Sequence, residues 1–185
     1  MNRVAGIILA SVTILIGSAY SIQSVINWKI DSEKAIVKFS LMAHGQELSG
    51  NFKAAKGNIR FDENDLVNSS VDCTIDISTI NTGIEPRDKH LKKKEYFDAT
   101  GSPVGKFTSI KVEKTQAGFT ATGTLFLKQT TKEISIPFTY EGTQSVGSFK
   151  GSFRIKRSDF GIGEADDEIG DDVTISLDIP VSIIN

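Results

Sequence analysis

Hydrophobic and polar residues alternate along most of the chain, and this alternation limits the possible folds more than any other feature. The clearest runs are 37–41, 119–127, 134–140, 149–155 and 173–181. A period of two places every second side chain on one face of a strand, and one buried face is typical of antiparallel sheets. Gly-rich or polar segments between the runs predict hairpin turns. We therefore predict an all-β fold of about eight antiparallel strands.

Strands of this number and kind either close into a barrel or stack as a sandwich, and a barrel is either filled by side chains or holds one small ligand. Small residues occur on faces that also carry Phe and Leu, at Ala54, Ala121, Gly123 and Gly151. They would either leave a lumen or accommodate bending of the strands. The spacing alone leaves both interpretations open.

One segment departs from the strand pattern. Residues 86–95 begin with a proline, which suits the first turn of a helix, and Asp88 follows near the positive N-terminal end. Lysines 92–94 lie toward the negative C-terminal end. The segment predicts a short helix at one mouth of the barrel, with Leu91 facing inward and Phe97 turning back to the barrel.

The N-terminus has the layout of a cleavable export signal. A single Arg3 precedes an uncharged run, and small residues follow it. We predict a signal peptide over residues 1–21 and one β-barrel domain over residues 22–185, with a periplasmic or secreted location. No later stretch is long and apolar enough to predict a membrane span.

Composition argues against several classes of function. The chain carries 21 Lys and Arg against 23 Asp and Glu, which does not fit a general nucleic-acid binder. The single Cys73 provides no intramolecular disulfide and is predicted to be buried on one face of a strand. His44 and His90 are the two histidines, and neither lies in a nucleophile or metal-ligand motif. We therefore predict no catalytic residues, no metal and no cofactor.

Two motifs give the chain a resemblance to a known family. The first is the Thr82-Gly83 turn followed by RDKHL at 87–91 and by Phe97-Asp98, and the second is RSDFGI at 157–162. Together with the segments WKIDSEKAIVKFS, GNFKAAKGNIRFD, SPVGKFTS and TGTLFLKQTTKEISIPF, in this order, they resemble the successive blocks of the YceI-like family. The resemblance covers nearly all of the chain after the N-terminal segment.

This resemblance implies a lipocalin-like antiparallel β-barrel that is exported to the bacterial periplasm. It implies an elongated apolar cavity that binds a polyisoprenoid, an isoprenoid quinone or a fatty-acid-like lipid, and it implies no catalytic activity. With the family as a guide, the alternation of small and large inward residues favours a lumen.

The candidate ligand-binding residues fall into two groups. The wall of the cavity, chosen by alternation, comprises Phe39, Leu41, Ile75, Ile77, Phe97, Leu125, Ile136 and Phe153. Near the mouth, a polar or phosphorylated head group would meet Arg87, His90 or Arg157. Alternatively, Arg87–Asp88 and Arg157–Asp159 form internal ion pairs that tie loops to the barrel.

A function of another class stays open at this point. The barrel would be filled by its own side chains and act as an interaction protein in envelope stress, with lysines 89–94 meeting an anionic partner or membrane surface. The sequence also leaves open whether the chain forms a homodimer.

Overall fold

The computed structural model describes residues 25–143, 145–164 and 168–183. The predicted signal peptide, residues 1–21, lies outside these ranges. The described residues form ten strands, one α-helix and two 3₁₀ helices, Ile77–Thr79 and Ser158–Phe160. The helix α1 spans Glu85–Leu91, and the strands are β1 (Asn27–Ile30), β2 (Ile36–Ala43), β3 (Gln46–Phe52), β4 (Lys56–Arg60), β5 (Ser70–Asp76), β6 (Val104–Thr115), β7 (Gly118–Leu127), β8 (Thr130–Gly142), β9 (Val146–Lys156) and β10 (Asp172–Ile183).

Eight of the ten strands close an antiparallel barrel in the order β1-β4-β5-β6-β7-β8-β9-β10. The ring closes because the end of β10 pairs with β1, while the first half of β10 pairs with β2 instead. The hairpin β2–β3 therefore extends the sheet on one side of the ring. The predicted all-β, lipocalin-like barrel with a short helix at one mouth is confirmed.

The alternation in the sequence becomes an alternation between the inside and the outside of the barrel. On β7, Phe119, Ala121 and Gly123 are buried, whereas Thr120 and Thr122 between them are partly exposed. An apolar residue at every second position is what drives a strand to turn one face toward a core. This is the physical reason why the strand pattern predicted the fold.

The two ends of the barrel carry different elements. We call one the mouth end, where α1, the second 3₁₀ helix and the β7–β8 turn lie. Lys128 and Gln129 in that turn have φ angles of 46° and 62°, as a tight hairpin turn of the primed type requires. We call the other the closed end, where the β6–β7 and β8–β9 turns and β1 lie.

Helix α1 begins close to its predicted start but ends at Leu91 rather than at residue 95. The chain folds back there, since the Phe97 amide donates to the Leu91 carbonyl at 3.0 Å and the Ala99 amide to the Lys92 carbonyl at 3.0 Å. The reversal turns Phe97 toward the barrel, as predicted, and Tyr96 lines the cavity beside it.

Candidate functional site

A cavity of about 990 Å³ occupies the mouth half of the barrel. This volume is at the upper end of the range typical of small-molecule sites. Its wall is mainly aliphatic and aromatic, and its floor includes Phe138 and Phe149. The sheet therefore encloses an apolar space on the side of α1, and the interpretation of a barrel filled throughout with side chains is wrong for this half.

The space below that floor is filled by aromatic side chains. The ring of Phe61 lies 5.0 Å from that of Phe119 and 5.3 Å from that of Phe149, both edge to face. Trp28 packs 5.3 Å from Tyr140, and its indole N–H donates to the Phe61 carbonyl at 3.2 Å. Rings in these arrangements add attraction beyond the burial of their area. The closed end is consequently a solid core.

Seven of the eight predicted wall residues line the cavity. They are Phe39, Leu41, Ile75, Phe97, Leu125, Ile136 and Phe153. Their contact with a ligand stays a prediction.

The placement of Ile77 in the wall was wrong. The Asp76 side chain accepts a hydrogen bond from the Ser78 amide at 2.8 Å and caps the first 3₁₀ helix, so the strand ends before Ile77. The Ile77 side chain has no exposed surface and packs in a buried cluster with Phe52 and Ile80. The period of two ceases to hold at the cap, because helical residues do not alternate between faces.

Strand β10 contributes four wall residues that were not among the candidates, Val173, Ile175, Leu177 and Ile179. Their alternation is as clear in the sequence as that of the chosen strands. What the sequence does not show is the position of β10 between β9 and β2, which aligns the inner face of β10 with the cavity along most of its length.

Three of the four small residues serve one or the other purpose that the sequence left open, whereas Ala54 lies in the loop between β3 and β4, with a φ angle of 57°. Ala121 and Gly151 line the cavity. Gly123 instead permits a close approach of β6, because a Cβ there would lie 2.2 Å from the Thr108 carbonyl oxygen. The register between β6 and β7 shifts at Ser109, next to this contact. Gly123 thus accommodates a bulge in the barrel wall.

At the mouth, the first sequence motif forms a hydrogen-bonded loop. The Asp88 carboxylate accepts from the Thr82 amide at 2.8 Å and from the Thr82 hydroxyl at 2.6 Å. Arg87 donates from Nε to the Thr82 hydroxyl oxygen at 2.9 Å and from Nη2 to the Thr82 carbonyl at 3.1 Å. Arg87 and His90 both line the cavity. Thr82 therefore takes the place of the ion pair that was expected between Arg87 and Asp88.

Arg157, in the second motif, holds a loop through main-chain carbonyls. Its guanidinium donates to the carbonyls of Gly170 at 3.1 Å, Ile162 at 3.0 Å, Glu164 at 2.7 Å and Ile169 at 2.9 Å. The residue is only 7% exposed and also lines the cavity. These acceptors replace the water that a buried cation loses.

The loop is thus tied as expected, but not through the expected partner. Asp159 lies instead 3.5 Å from Lys132 on β8.

The segments over the mouth are also joined to one another. The Glu95 carbonyl accepts from the Gly163 amide at 2.9 Å and from Lys128 Nζ at 2.9 Å. Lys128 Nζ also donates to the Gly161 carbonyl, and desolvation of its ammonium group lowers the pKa of Lys128. These bonds connect the segment after α1, the second 3₁₀ region and the β7–β8 turn across the top of the cavity.

Cys73 faces the cavity from β5. Burial raises the pKa of its thiol to about 12, and the neighbouring Asp72 adds to the shift. A thiol with so high a pKa is protonated at neutral pH and is a poor nucleophile.

Within the described ranges, no cluster of three or more His, Cys, Asp and Glu side chains is arranged to hold a metal ion. In the same ranges, no helix has the length and apolar character needed to cross a membrane.

A closed antiparallel barrel with an apolar cavity in one half has the architecture of the lipocalin-like class. The model of the YceI-like domain matches residues 28–181, and the chain belongs to the YceI-like family. It is 34% identical over 143 residues to the UPF0312 protein plu2095 of Photorhabdus laumondii, across 72% of this chain and 74% of that protein.

Two solved structures share the fold. BcnA of Burkholderia cenocepacia superimposes with a TM-score of 0.76 at 24% identity, over 82% of this chain and 98% of BcnA. A polyisoprenoid-binding domain from Saccharophagus degradans, implicated in plant cell wall breakdown, superimposes with a TM-score of 0.66 at 14% identity, over 86% of this chain and 99% of that domain.

Proposed function

We propose that this protein binds a polyisoprenoid or a similar long-chain amphiphilic lipid in the barrel cavity, without catalysis. The observation that carries the proposal is the apolar cavity of about 990 Å³ in the mouth half. The polyisoprenoid-binding domain from Saccharophagus degradans has the same fold, and this supports the choice of ligand class.

The energetics favour ligands with long tails. Each buried CH₂ gains roughly 0.8 kcal/mol, so one five-carbon prenyl unit contributes on the order of 3–4 kcal/mol before costs. Immobilising the ligand costs roughly 4–15 kcal/mol, and two units, at about 6–8 kcal/mol, do not cover the upper part of this range. Several prenyl units are therefore needed for tight binding, and tail length dominates the affinity.

The head group lies at the mouth in this proposal. Arg87 lines the cavity there, and among the described residues its Nη1 has no hydrogen-bond partner. Lys93 and His90 line the same region. A charge-assisted hydrogen bond contributes roughly 1.5–3 kcal/mol, which fixes the position of a polar or anionic head but does not replace the tail.

We also propose that the protein acts in the cell envelope, in transport or storage of the lipid. The export signal read from residues 1–21 supports this location. N-terminal sequencing of protein from cell fractions checks it, and we expect a mature chain that begins near Tyr20 or Ile22 in the periplasmic or secreted fraction. An unprocessed chain in the cytoplasmic fraction would contradict it.

The binding proposal is tested by organic extraction of protein purified from its native compartment, followed by mass spectrometry. Leu125→Trp places a bulky ring in the cavity wall, and Thr124→Trp on the outer face of the same strand is the matched control. We expect a long-chain lipid from the wild type and from Thr124→Trp, and little from Leu125→Trp. Equal amounts of lipid from both variants, or no lipid from any of them, would refute the proposal.

A further inference from the structure

The hairpin formed by β8 and β9 opens toward the mouth. Its ladder begins at the turn, where Gly142 pairs with Gly147, and ends where Phe138 pairs with Gly151. Both strands continue toward the mouth, β8 back to Thr130 and β9 on to Lys156, and each keeps its other neighbour. No β8–β9 pair lies beyond Gly151 among the described residues. The barrel wall therefore has a seam without strand pairing, between residues 130–137 and 152–156.

Pro137 provides a physical reason for the end of this ladder. Its carbonyl oxygen points at β9, because a Cβ on Gly151 would lie 2.5 Å from it. The amide and carbonyl of one residue face the same neighbouring strand in an antiparallel ladder. The donor that proline lacks is therefore missing on the side of β9. Proline is typical of strand edges for this reason, and β8 becomes an edge from Pro137 toward the mouth.

Apolar side chains line the two sides of the seam. Ile136 on β8 and Phe153 and Ile155 on β9 all face the cavity, and the two residues from β9 are only partly buried. Side-chain packing, without a hydrogen-bonded ladder, therefore separates the cavity from solvent along the seam. Side chains change rotamer far faster than a sheet breaks its ladder.

The top of the seam is bridged rather than open. The second 3₁₀ helix passes from the end of β9 toward β8. Its Asp159 carboxylate lies 3.5 Å from Lys132 Nζ, and the side chain of Phe160, in the same helix, is buried. Above the cavity, the Glu95 carbonyl and Lys128 join the mouth segments. Passage through the mouth would break several of these hydrogen bonds. Passage through the seam below the contact between Lys132 and Asp159 would displace mainly apolar side chains and would leave the hydrogen bonds of the mouth intact.

We infer that the β8–β9 seam is a lateral portal, through which the apolar tail of a polyprenyl or fatty acyl chain enters and leaves the cavity. The inference rests on the proposed lipid-binding function and adds the route. A flexible, unbranched or methyl-branched chain is the kind of ligand that can pass between two unpaired strands, and its head group stays at the mouth end, where Arg87 lies.

The test closes the seam after the protein has folded. If the register of β8 and β9 were continued, Ser135 would lie opposite Arg154, and both side chains are exposed. The variant S135C/R154C is bridged with a bifunctional maleimide. The control T122C/S135C is bridged with the same reagent across β7 and β8, which are paired there, since the Thr122 and Ser135 hydroxyl oxygens lie 3.1 Å apart. Cys73 faces the cavity rather than the outer surface, and burial raises the pKa of its thiol, so it reacts much more slowly at neutral pH than the two exposed cysteines.

Uptake and release of the fluorescent fatty acid parinaric acid are followed by stopped flow, with geranylgeraniol as the competing ligand. Bridging the seam should slow both rates by about tenfold or more with little change in Kd, as for other gated sites. Bridging the control should leave both rates unchanged. The protein before the reagent is added is the reference for each variant.

The outcomes separate the two proposals. Uptake that is equally fast with the seam bridged overturns the portal and leaves lipid binding intact. Slowing by the same factor in the control also overturns it, because the effect would then come from the reagent. If the unbridged wild type takes up no lipid, the binding proposal itself fails, and the portal fails with it.

Discussion

The two halves of the barrel are built from the same strands, but one has a close-packed aromatic core and the other has a cavity. At the closed end, Phe61 touches four other aromatic rings, and each side chain fills space left by its neighbours. At the mouth end, Phe153 and Leu125 line an apolar cavity of about 990 Å³. The close-packed end therefore supplies stability that the cavity end lacks, because side chains around a cavity make fewer packing contacts than side chains in a solid core.

The largest expected effect is at the closed end. Phe61→Ala should lower the free energy of unfolding by about 3–5 kcal/mol, because it removes a buried ring from a close-packed cluster. Phe153→Ala, beside the existing cavity, should cost about 1 kcal/mol, since few contacts are lost there. Urea denaturation of the lipid-free protein measures both. Equal losses would show that the two halves of the barrel are packed alike.

The second largest loss of stability is expected on replacing Arg157. Arg157→Met leaves the carbonyls of Gly170, Ile162, Glu164 and Ile169 without their donor, and we expect a loss of about 2–4 kcal/mol. Lys156→Met, at the exposed neighbouring position, should change stability by less than about 0.5 kcal/mol. Thermal unfolding compares the two variants. If Arg157→Met is as stable as the control, the loop does not depend on the guanidinium.

Replacing Arg87 should lower the affinity for the ligand. Arg87→Met should weaken binding of a long-chain fatty acid roughly 10- to 100-fold, because a charge-assisted hydrogen bond to the carboxylate is lost. The ammonium group of Lys89 pairs with Glu85 at the surface, so Lys89→Met is the control and should bind normally. Calorimetric titration of folded protein gives the Kd values. Reduced stability with unchanged affinity would assign Arg87 to the Thr82 loop alone.

The smallest expected effect is on the reactivity of Cys73 in the mouth half, and it does not involve the stability of the fold. Burial raises the pKa of the Cys73 thiol to about 12, so its thiolate fraction at neutral pH is far below that of a free cysteine. The alkylation rate with iodoacetamide should therefore rise about tenfold per pH unit from pH 7 to 9. Mass spectrometry measures the rate, and bound lipid should reduce it at every pH. A plateau by pH 9 would place the pKa of Cys73 near that of an exposed thiol.

The fold could be predicted because its cause is local. A period of two in the hydrophobic residues determines which face of each strand is buried, and this placed Phe39, Leu125 and Ile136 on the inner face. The same pattern failed at Ile77, because the Asp76 cap ends the strand and the period with it.

The remaining features depend on tertiary arrangement. The four acceptors of Arg157 lie between residues 162 and 170, and no spacing in the sequence shows that this loop wraps around one guanidinium. The seam between β8 and β9 does have a signal in the sequence. Pro137 interrupts an otherwise regular strand, and such a proline predicts an edge. The export signal and the bounds of the domain remain predictions from sequence.

Lipid binding in the mouth half is tested by the dependence of affinity on tail length, measured by calorimetric titration with farnesol, geranylgeraniol and longer polyprenols. Since each buried CH₂ gains roughly 0.8 kcal/mol, Kd should fall by more than about tenfold for each added prenyl unit until the cavity is full. Affinity that does not change with tail length, or no binding at any length, would contradict the claim that the mouth half of the barrel is a lipid site.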